Sequence, residues 1–316
     1  MSTLTKGLGL FLDVVQQGSF SKAAALHDMD NSLLSKQIKK LEADLGVQLL
    51  NRSTRTFALT SAGKDIFEQT KVLMETLTQI QNIADAHQSE PRGNIRITSS
   101  ITFGQQYLQP VISQFMKQYP HVNIALLLDD KRVDIISEHF DVAFRLGKLT
   151  ESNLIAKKIA KTHFAIVASE DFIAQHGMPA TPEELVLLPA VVYSNGNVRL
   201  DQMSISAPPD FNDYKTYKMQ SNYCVSDMRT LIKAVTDGLG YAMIDLFNLD
   251  KPISEAKLTL LLTGYGLSTV DTGIYAIYPH RKPTKLVSEF INAVQSYIGT
   301  PPFWVDYVPD YKNRYK

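Results

Sequence analysis

A chain of 316 residues is long enough for two domains. Its 44% apolar and 20% charged residues exclude a disordered tail, because that much apolar surface can fill real cores. Lys plus Arg number 32 and Asp plus Glu number 32, which excludes a globally basic nucleic-acid binder and leaves room only for a local basic patch.

The first sixty residues read as short helices. Leu8, Phe11, Leu12 and Val15 recur at i, i+3, i+4 and i+7, one apolar helical face. Gly18 ends that helix, and Ser19 is of N-cap type for the next, where Ala23, Ala24 and Ala25 permit close helix approach. A third helix opens near Asp30, turns Leu34, Ile38, Leu41 and Leu45 inward and stops at Gly46. Its other face carries Asn31, Ser32, Ser35, Lys36, Lys39 and Lys40. From Val47 to Leu59 the pattern shortens to strand-like pieces around Asn51-Arg52-Ser53-Thr54-Arg55, a hairpin or wing with two arginines at its tip. Residues 31–64 hold Lys36, Lys39, Lys40, Arg52, Arg55 and Lys64 against Glu42 and Asp44, a local charge of +4 on a neutral chain. A polar helix face with lysines is more often merely solvated, a reading that the local charge and the wing arginines weigh against.

Thr60 can cap a long helix running to about His87. Ile66, Thr70, Leu73, Leu77, Ile80 and Ala84 are spaced 4-3-4-3-4 along it, an a/d seam. Such a stripe either faces its own core or pairs two chains, and the polar Lys64, Asp65, Glu68, Lys71 and Glu75 beside it keep it narrow. Ser89-Glu90-Pro91-Arg92-Gly93 reads as a linker. Beyond it strands alternate with helices, which predicts an α/β domain. Strands are expected at Ile95–Ile97, Val122–Leu128, Asp141–Leu146, Phe164–Ala168, Ala190–Tyr193, Tyr241–Ile244 and Gly273–Tyr278, and helices at Leu108–Tyr119, Ser226–Asp237 and Leu286–Ile298.

The series Phe11, Gly18-Ser19-Phe20, Ala23-Ala24, Ser35-Lys36-Gln37-Ile38, Leu41-Glu42, Leu45-Gly46-Val47, Leu49, Arg52, Arg55, Leu59-Thr60 and Ala62-Gly63 closely resembles the LysR-type transcriptional regulators. Further on, Gly93-Asn94-Ile95-Arg96-Ile97, Phe115 to Val122, Asp141-Val142-Ala143-Phe144-Arg145-Leu146-Gly147 and Asp237-Gly238-Leu239-Gly240-Tyr241 are similar to segments of that family's effector domain. The sequence departs from the family pattern at Leu50 for a usual Phe, Asp30-Asn31 for Ser-Gln and Ile244-Asp245 for Leu-Pro, and residues 301–316 extend past the usual end. The resemblance implies an N-terminal winged helix-turn-helix over 1–60, a dimerising linker helix over 61–88 and a hinge at 89–93. It then implies a two-lobed α/β effector domain over 94–300, like periplasmic binding proteins of type II. Lobe I would take 94–163 and 268–300, lobe II 164–267, and an aromatic tail 301–316.

Two helices joined by a tight turn let the second enter a major groove. There Asn31, Ser32 and Lys36 suit base edges, with Lys39 beside them, while Ser35, Arg52, Thr54 and Arg55 suit phosphates. A dimer would present two such helices to an interrupted inverted repeat. The family places effectors between the lobes, which makes Ser99, Ser100, Thr102, Phe144, Arg145, Ser194, Asn195 and Asn222 the candidate cleft, with Asn197 and Tyr223 close by in sequence. Hydroxyls and free N–H groups at a helix start suit a carboxylate or other small anion, although the same residues can simply cap the helix. Cys224, the lone cysteine, forms no intrachain disulfide; it is a redox sensor if exposed and an inert packed thiol if buried. The tail carries Phe303, Trp304, Tyr307, Tyr311 and Tyr315, and so many aromatics call for packing against the effector domain or a neighbouring subunit.

Competing readings are a two-lobed small-molecule binding protein and an enzyme with a helical appendage. No His-Glu-x-x-His, Gly-x-Ser-x-Gly, P-loop or Gly-x-Gly-x-x-Gly is present, and the seven histidines have no ligand spacing. No apolar run has the length of a membrane helix, and the start does not read as a signal peptide. The expectation is a cytoplasmic, non-enzymatic regulator without cofactor or metal. Its partners would be double-stranded promoter DNA, its own copies as homodimer or homotetramer, a small-molecule effector and RNA polymerase.

Overall fold

The computed structural model describes residues 3–53, 56–86, 90–131, 133–147, 154–196, 198–268, 272–279 and 283–315. The chain divides into two compact units, Met1–Glu90 with Asp134–His139, and Pro91–Val133 with Phe140–Lys316.

The first unit contains α1 (Thr3–Gln17), α2 (Phe20–Leu26), α3 (Asn31–Leu45), the hairpin β1 (Leu50–Ser53) and β2 (Thr56–Leu59), and α4 (Ser61–Ala86). Its core joins Leu10, Phe11 and Val14 of α1 to Ala23 and Ala24 of α2, Leu34, Ile38 and Leu41 of α3, and Leu49 and Leu50 at the hairpin. Leu50, where the family usually has Phe, is 1% exposed and packed into that core. Ser19 caps α2 by accepting from the Lys22 N–H at 3.4 Å. Asp30 is the N-cap residue of α3 but makes no side-chain cap bond. Gly46 ends α3 at φ +69°, a left-handed conformation that costs glycine little.

Glu42 then ties helix to wing: its Oε1 accepts from the N–H groups of Leu49 at 2.9 Å and Leu50 at 3.1 Å. At the other foot of the hairpin Thr60 caps α4, its Oγ1 accepting from the Gly63 N–H at 2.9 Å and donating to the Gln48 carbonyl at 2.6 Å. A Cβ at Gly63 would land on the Leu49 carbonyl oxygen, so only glycine lets α4 start this close to the strand. Along α4, Ile66 and Phe67 pack on the unit's core and Thr70 is buried. Val72, Leu73 and Ile80 are 56%, 37% and 57% exposed. The a/d seam is therefore divided: Ile66 packs on the unit's own core and Thr70 is buried, whereas Leu73 and Ile80 are exposed with Leu77 half-buried between them. Ser89, the first residue of the expected linker, lies outside the described residues.

In the second unit a sheet has the order β4-β3-β5-β16-β6, made of β3 (Gly93–Ser99), β4 (Val122–Leu128), β5 (Val142–Gly147), β6 (Ile155–Lys161) and β16 (Gly273–Tyr278). β3 runs parallel to β4 and β5, and β16 is antiparallel to β5 and β6. A continuous helix over 101–118, here α5, contains a π-helical stretch at Gly104–Leu108. It begins seven residues before the expected Leu108, because Ser100 rather than a later residue starts it. Val111, Ile112 and Phe115 of this helix share a core with Leu286, Val287, Phe290 and Val294 of the helix Lys285–Ile298.

The second lobe is built from smaller pieces. β7 (Phe164–Ser169) pairs antiparallel with β13 (Ala242–Asp245) and β14 (Leu258–Leu260). β8 (Ala190–Ser194) lies between β9 (Arg199–Leu200) and β12 (Ser221–Val225), and β10 (Gln202–Ala207) between β11 (Asp210–Lys218) and β15 (Gly266–Leu267). The passages β6 to β7 and β15 to β16 join the lobes. They are tied together where the Thr162 hydroxyl donates to the Thr272 carbonyl at 3.1 Å.

The aromatic tail packs on this unit. Trp304 is fully buried, with its ring 4.9 Å from that of Tyr107. The Tyr311 hydroxyl donates to the Phe164 carbonyl at 2.7 Å, and the Tyr315 hydroxyl to the Leu261 carbonyl at 2.8 Å.

Candidate DNA-reading face and effector cavity

The inward side of α3 is apolar, which turns the polar residues outward. Asn31, Ser32, Lys36 and Lys39 are exposed, and Ser35 is half-buried. The Asn31 amide donates to the Ser21 hydroxyl at 3.3 Å, joining the start of α3 to α2. This is a helix-turn-helix whose second helix shows its N-terminal residues and the cations Lys36, Lys39 and Lys40 to solvent. Arg52 lies on β1, and Asn51 pairs with Ala58 in the hairpin. Thr54, Arg55 and the Arg52 side chain lie outside the described residues.

In the second unit Ser100, Phe103, Phe144, Arg145, Leu146, Phe247 and Ile274 line a narrow cavity. Four elements converge on it, β16 contributing Ile274. Ser100 and Phe103 come from the start of α5, Phe144 and Arg145 from β5, and Phe247 from the 3-10 turn Leu246–Asn248 that follows β13. Phe103 and Phe144 stack with centroids 5.9 Å apart, and Phe247 meets Phe103 edge-on at 6.3 Å. The turn carrying Phe247 is held on both sides. The Asp245 carboxyl accepts from the Phe247 N–H at 3.4 Å, and the Tyr107 hydroxyl donates to the Phe247 carbonyl at 2.6 Å. Burial pushes the Tyr107 hydroxyl well above the usual phenol range, with Tyr307 and Asp245 adding to the shift, so it stays a donor.

The cavity brings Ser100, Phe144 and Arg145 together, and it adds Phe103, Phe247 and Ile274, which no sequence motif marks. Ser99 and Thr102 are buried, the Ser99 hydroxyl without a hydrogen-bond partner, and neither lines the cavity. Alternation along β3 and the helical turn point them elsewhere. Ser194 and Asn195 lie at the end of β8; Asn195 donates to the Asp130 carbonyl at 3.3 Å, which bridges the second lobe to the loop after β4. Asn222 and Tyr223 are exposed on β12, away from the lining, and Asn197 lies outside the described residues.

The charged groups beside the cavity are held by hydrogen bonds to polar neighbours. The Arg145 guanidinium donates through Nη1 to the Asp129 carbonyl at 2.7 Å and through Nη2 to the Thr98 hydroxyl at 2.9 Å. The Ile101 N–H at the start of α5 donates to the Asp130 carboxylate at 3.0 Å. Cys224 is exposed, so the packed-thiol alternative does not hold; Asn222 and Tyr223 before it on β12 are exposed too. The Arg199 guanidinium lies 3.6 Å from its sulfur and also pairs with Asp201 at 2.8 Å.

Among the described residues no group of three or more His, Cys, Asp or Glu side chains can hold a metal ion. No described helix is long and apolar enough to cross a membrane.

Two family models cover this architecture: bacterial regulatory helix-turn-helix protein, lysR family, matches residues 5–64, and LysR substrate binding domain matches residues 88–298. The chain belongs to the LysR family of transcriptional regulators. Among its relatives, the HTH-type transcriptional regulator CrgA of Neisseria meningitidis serogroup C is 30% identical over 269 residues, spanning 83% of this chain and 86% of CrgA. The HTH-type transcriptional regulator PtxR of Pseudomonas aeruginosa is 30% identical over 297 residues, spanning 93% of this chain and 92% of PtxR. The crystal structure of a full-length single-substitution variant of AphB is similar with a TM-score of 0.64 at 25% identity, covering 92% of this chain and 98% of that one. This LysR-type regulator thus has a DNA-binding helix-turn-helix and a two-lobed effector-binding domain, as the family resemblance implied. Its relatives are transcriptional regulators rather than enzymes.

Proposed function

We propose that this LysR-type regulator reads an interrupted inverted repeat in promoter DNA and that a small molecule in the cavity beside α5 controls it. The outward face of α3 carries the reading. Asn31, Ser32 and Lys36 supply base contacts with Lys39 beside them, and Ser35, Arg52, Thr54 and Arg55 grip phosphates. The apolar residues left uncovered on α4, Leu73 and Ile80, pair two copies so that two recognition helices meet two half-sites. An effector acts only through its difference in affinity for the two arrangements of the protein. Contact with RNA polymerase follows from the role of a promoter-bound regulator.

The test is fluorescence anisotropy on DNA from upstream of the protein's own gene, against random DNA of equal length, at two salt concentrations. Preference for the upstream DNA is expected to survive the higher salt, because base contacts release no counterions. Lys36→Ala is expected to cost about 1–3 kcal/mol on specific DNA and much less on random DNA. Equal losses on both would make Lys36 a phosphate contact, and absence of any DNA binding by folded protein would overturn the reading.

A second input is supported by one observation, the exposed Cys224 sulfur beside Arg199. Oxidation by peroxide to a sulfenic acid, or to a disulfide between two chains, would change the charge and contacts of β12. Operator affinity is expected to change on peroxide treatment in the wild type and not in Cys224→Ser; the same response in both would exclude the cysteine.

A further inference from the structure

Asp13 stands within the buried stretch Leu10-Phe11-Leu12-Asp13-Val14 of α1, where a carboxylate is costly to bury unless it is fully hydrogen-bonded. It is 4% exposed, and both of its oxygens are engaged. Oδ2 lies 2.6 Å from His27 Nε2 and Oδ1 lies 2.7 Å from His139 Nε2. A carboxylate only accepts, so both rings carry a proton on Nε2. His27 is the C-cap residue of α2 and opens the turn that leads to α3. The backbone N–H groups of His27, Asp28 and Met29 close that turn on the carbonyls of Ala24 and Ala25.

His139 comes from far along the chain. The arm Asp134–His139, between β4 and β5, belongs to the first unit. It is a compact turn, in which the Asp134 carboxylate accepts from the N–H groups of Ile136 at 3.0 Å and Ser137 at 3.2 Å. The Gln17 amide of α1 donates to the Ser137 carbonyl at 2.6 Å, a second tie beside Asp13. His139 holds φ +55°, a left-handed conformation in which glycine is the easier residue, yet it is an imidazole that stands there. Both ends of the arm continue into segments fixed on β3. Before it the Asp129 N–H donates to the Ser99 carbonyl at 3.0 Å, and after it the Asp141 carboxylate accepts from the Arg96 N–H at 2.7 Å. The same two segments meet at Arg145 of β5, which donates to the Asp129 carbonyl.

We infer, on the reading of α3 proposed above, that Asp13 is a positioning residue for DNA reading and that through it the arm Asp134–His139 sets the turn on which α3 sits. Asp13 is buried and cannot itself touch DNA. Its carboxylate is shared by the turn and the arm, so a shift of β5 or of the Asp129 loop reaches α3 through one hydrogen-bonded group.

The experiment compares the full chain with His139→Ala, His139→Gln and Asp13→Asn. The His139 side chain is 42% exposed, so Ala removes it without opening a core. Gln brings an amide N–H to the place of Nε2, and Asn leaves one acceptor oxygen for two ring donors. His139→Ala is expected to weaken binding to the upstream DNA by about tenfold in fluorescence anisotropy and to random DNA by less than about twofold, because base contacts demand an exact seat for α3 and phosphate contacts do not. Asp13→Asn is expected to act in the same way, and His139→Gln to restore the preference. Equal losses on both DNAs, as from a merely destabilised fold, or a preference that His139→Ala leaves intact, would overturn the inference. Amide hydrogen exchange of the free protein tests the joint without DNA. The Asp28 and Met29 amides are expected to exchange at least about fivefold faster in His139→Ala than in wild type, and at the wild-type rate in His139→Gln. Unchanged exchange there would also overturn the inference. If wild type shows no preference for the upstream DNA, the reading of α3 fails by that result alone, and the exchange rates still decide whether the arm holds the turn.

Discussion

Asp245 keeps a carboxyl group at 2% exposure in the middle of the second lobe. One oxygen accepts from the backbone N–H groups of His163 at 3.2 Å and Phe247 at 3.4 Å, and the other has no partner. Burial pushes its pKa up to about 7 against the pull of those N–H groups. The folded value lies above the unfolded one. Its contribution to stability is therefore full below the unfolded value near 3.8, and it is lost as pH rises towards about 7. Asn preserves the acceptor and carries no charge. Asp245→Asn is thus expected to match wild type near about pH 4 and to be the more stable protein near about pH 8, by at most on the order of 4 kcal/mol. Urea unfolding of both proteins at the two pH values checks this, and a difference that does not change with pH would refute it. The sequence marks this residue only as a departure from a family pattern. Nothing local shows that a carboxyl group is buried there or that it holds Phe247, because both facts depend on chain segments far apart. The Asp130–Ile101 bond is hidden for the same reason, its partners standing 29 positions apart in the chain.

The elements of the first unit are the most legible. Their apolar spacing is local, and caps such as Ser19, Gly46 and Thr60 stand at the places where the chain turns. Glu42 shows why one polar residue belongs in that series: it joins the end of α3 to the first strand of the wing. Reading α4 as a single seam is too simple, since periodicity cannot tell a stripe that meets its own core from one that meets another chain. Here the stripe meets its own core first and then leaves it. Ile80, in the later part, is expected to contribute to self-association, so Ile80→Glu should shift the protein towards monomer in sedimentation at fixed concentration while its helical circular dichroism is retained. An unchanged assembly state would locate the dimer contact elsewhere. In the second lobe the long polar strand β11 and its hairpin with β10 leave no signal in the sequence. Exposed residues fill β11, so it has no apolar alternation to read. The 3-10 turn carrying Phe247 is too short to have a period at all.

At the scale of the molecule, the order of the parts along the chain and the order in which they complete one another differ. The winged unit draws its α1–α4 core from residues close in sequence. The effector unit does not. Its strand β7 is held by Tyr311 and Tyr315, and the aromatic cluster behind Phe247 includes Trp304. These residues follow every strand they support. During synthesis that α1–α4 core can form while the effector unit is still being extended. The effector unit must wait for the aromatic strap before its cavity wall is fixed. A nascent or truncated chain lacking that strap would carry a finished DNA-reading helix with no functioning sensor attached.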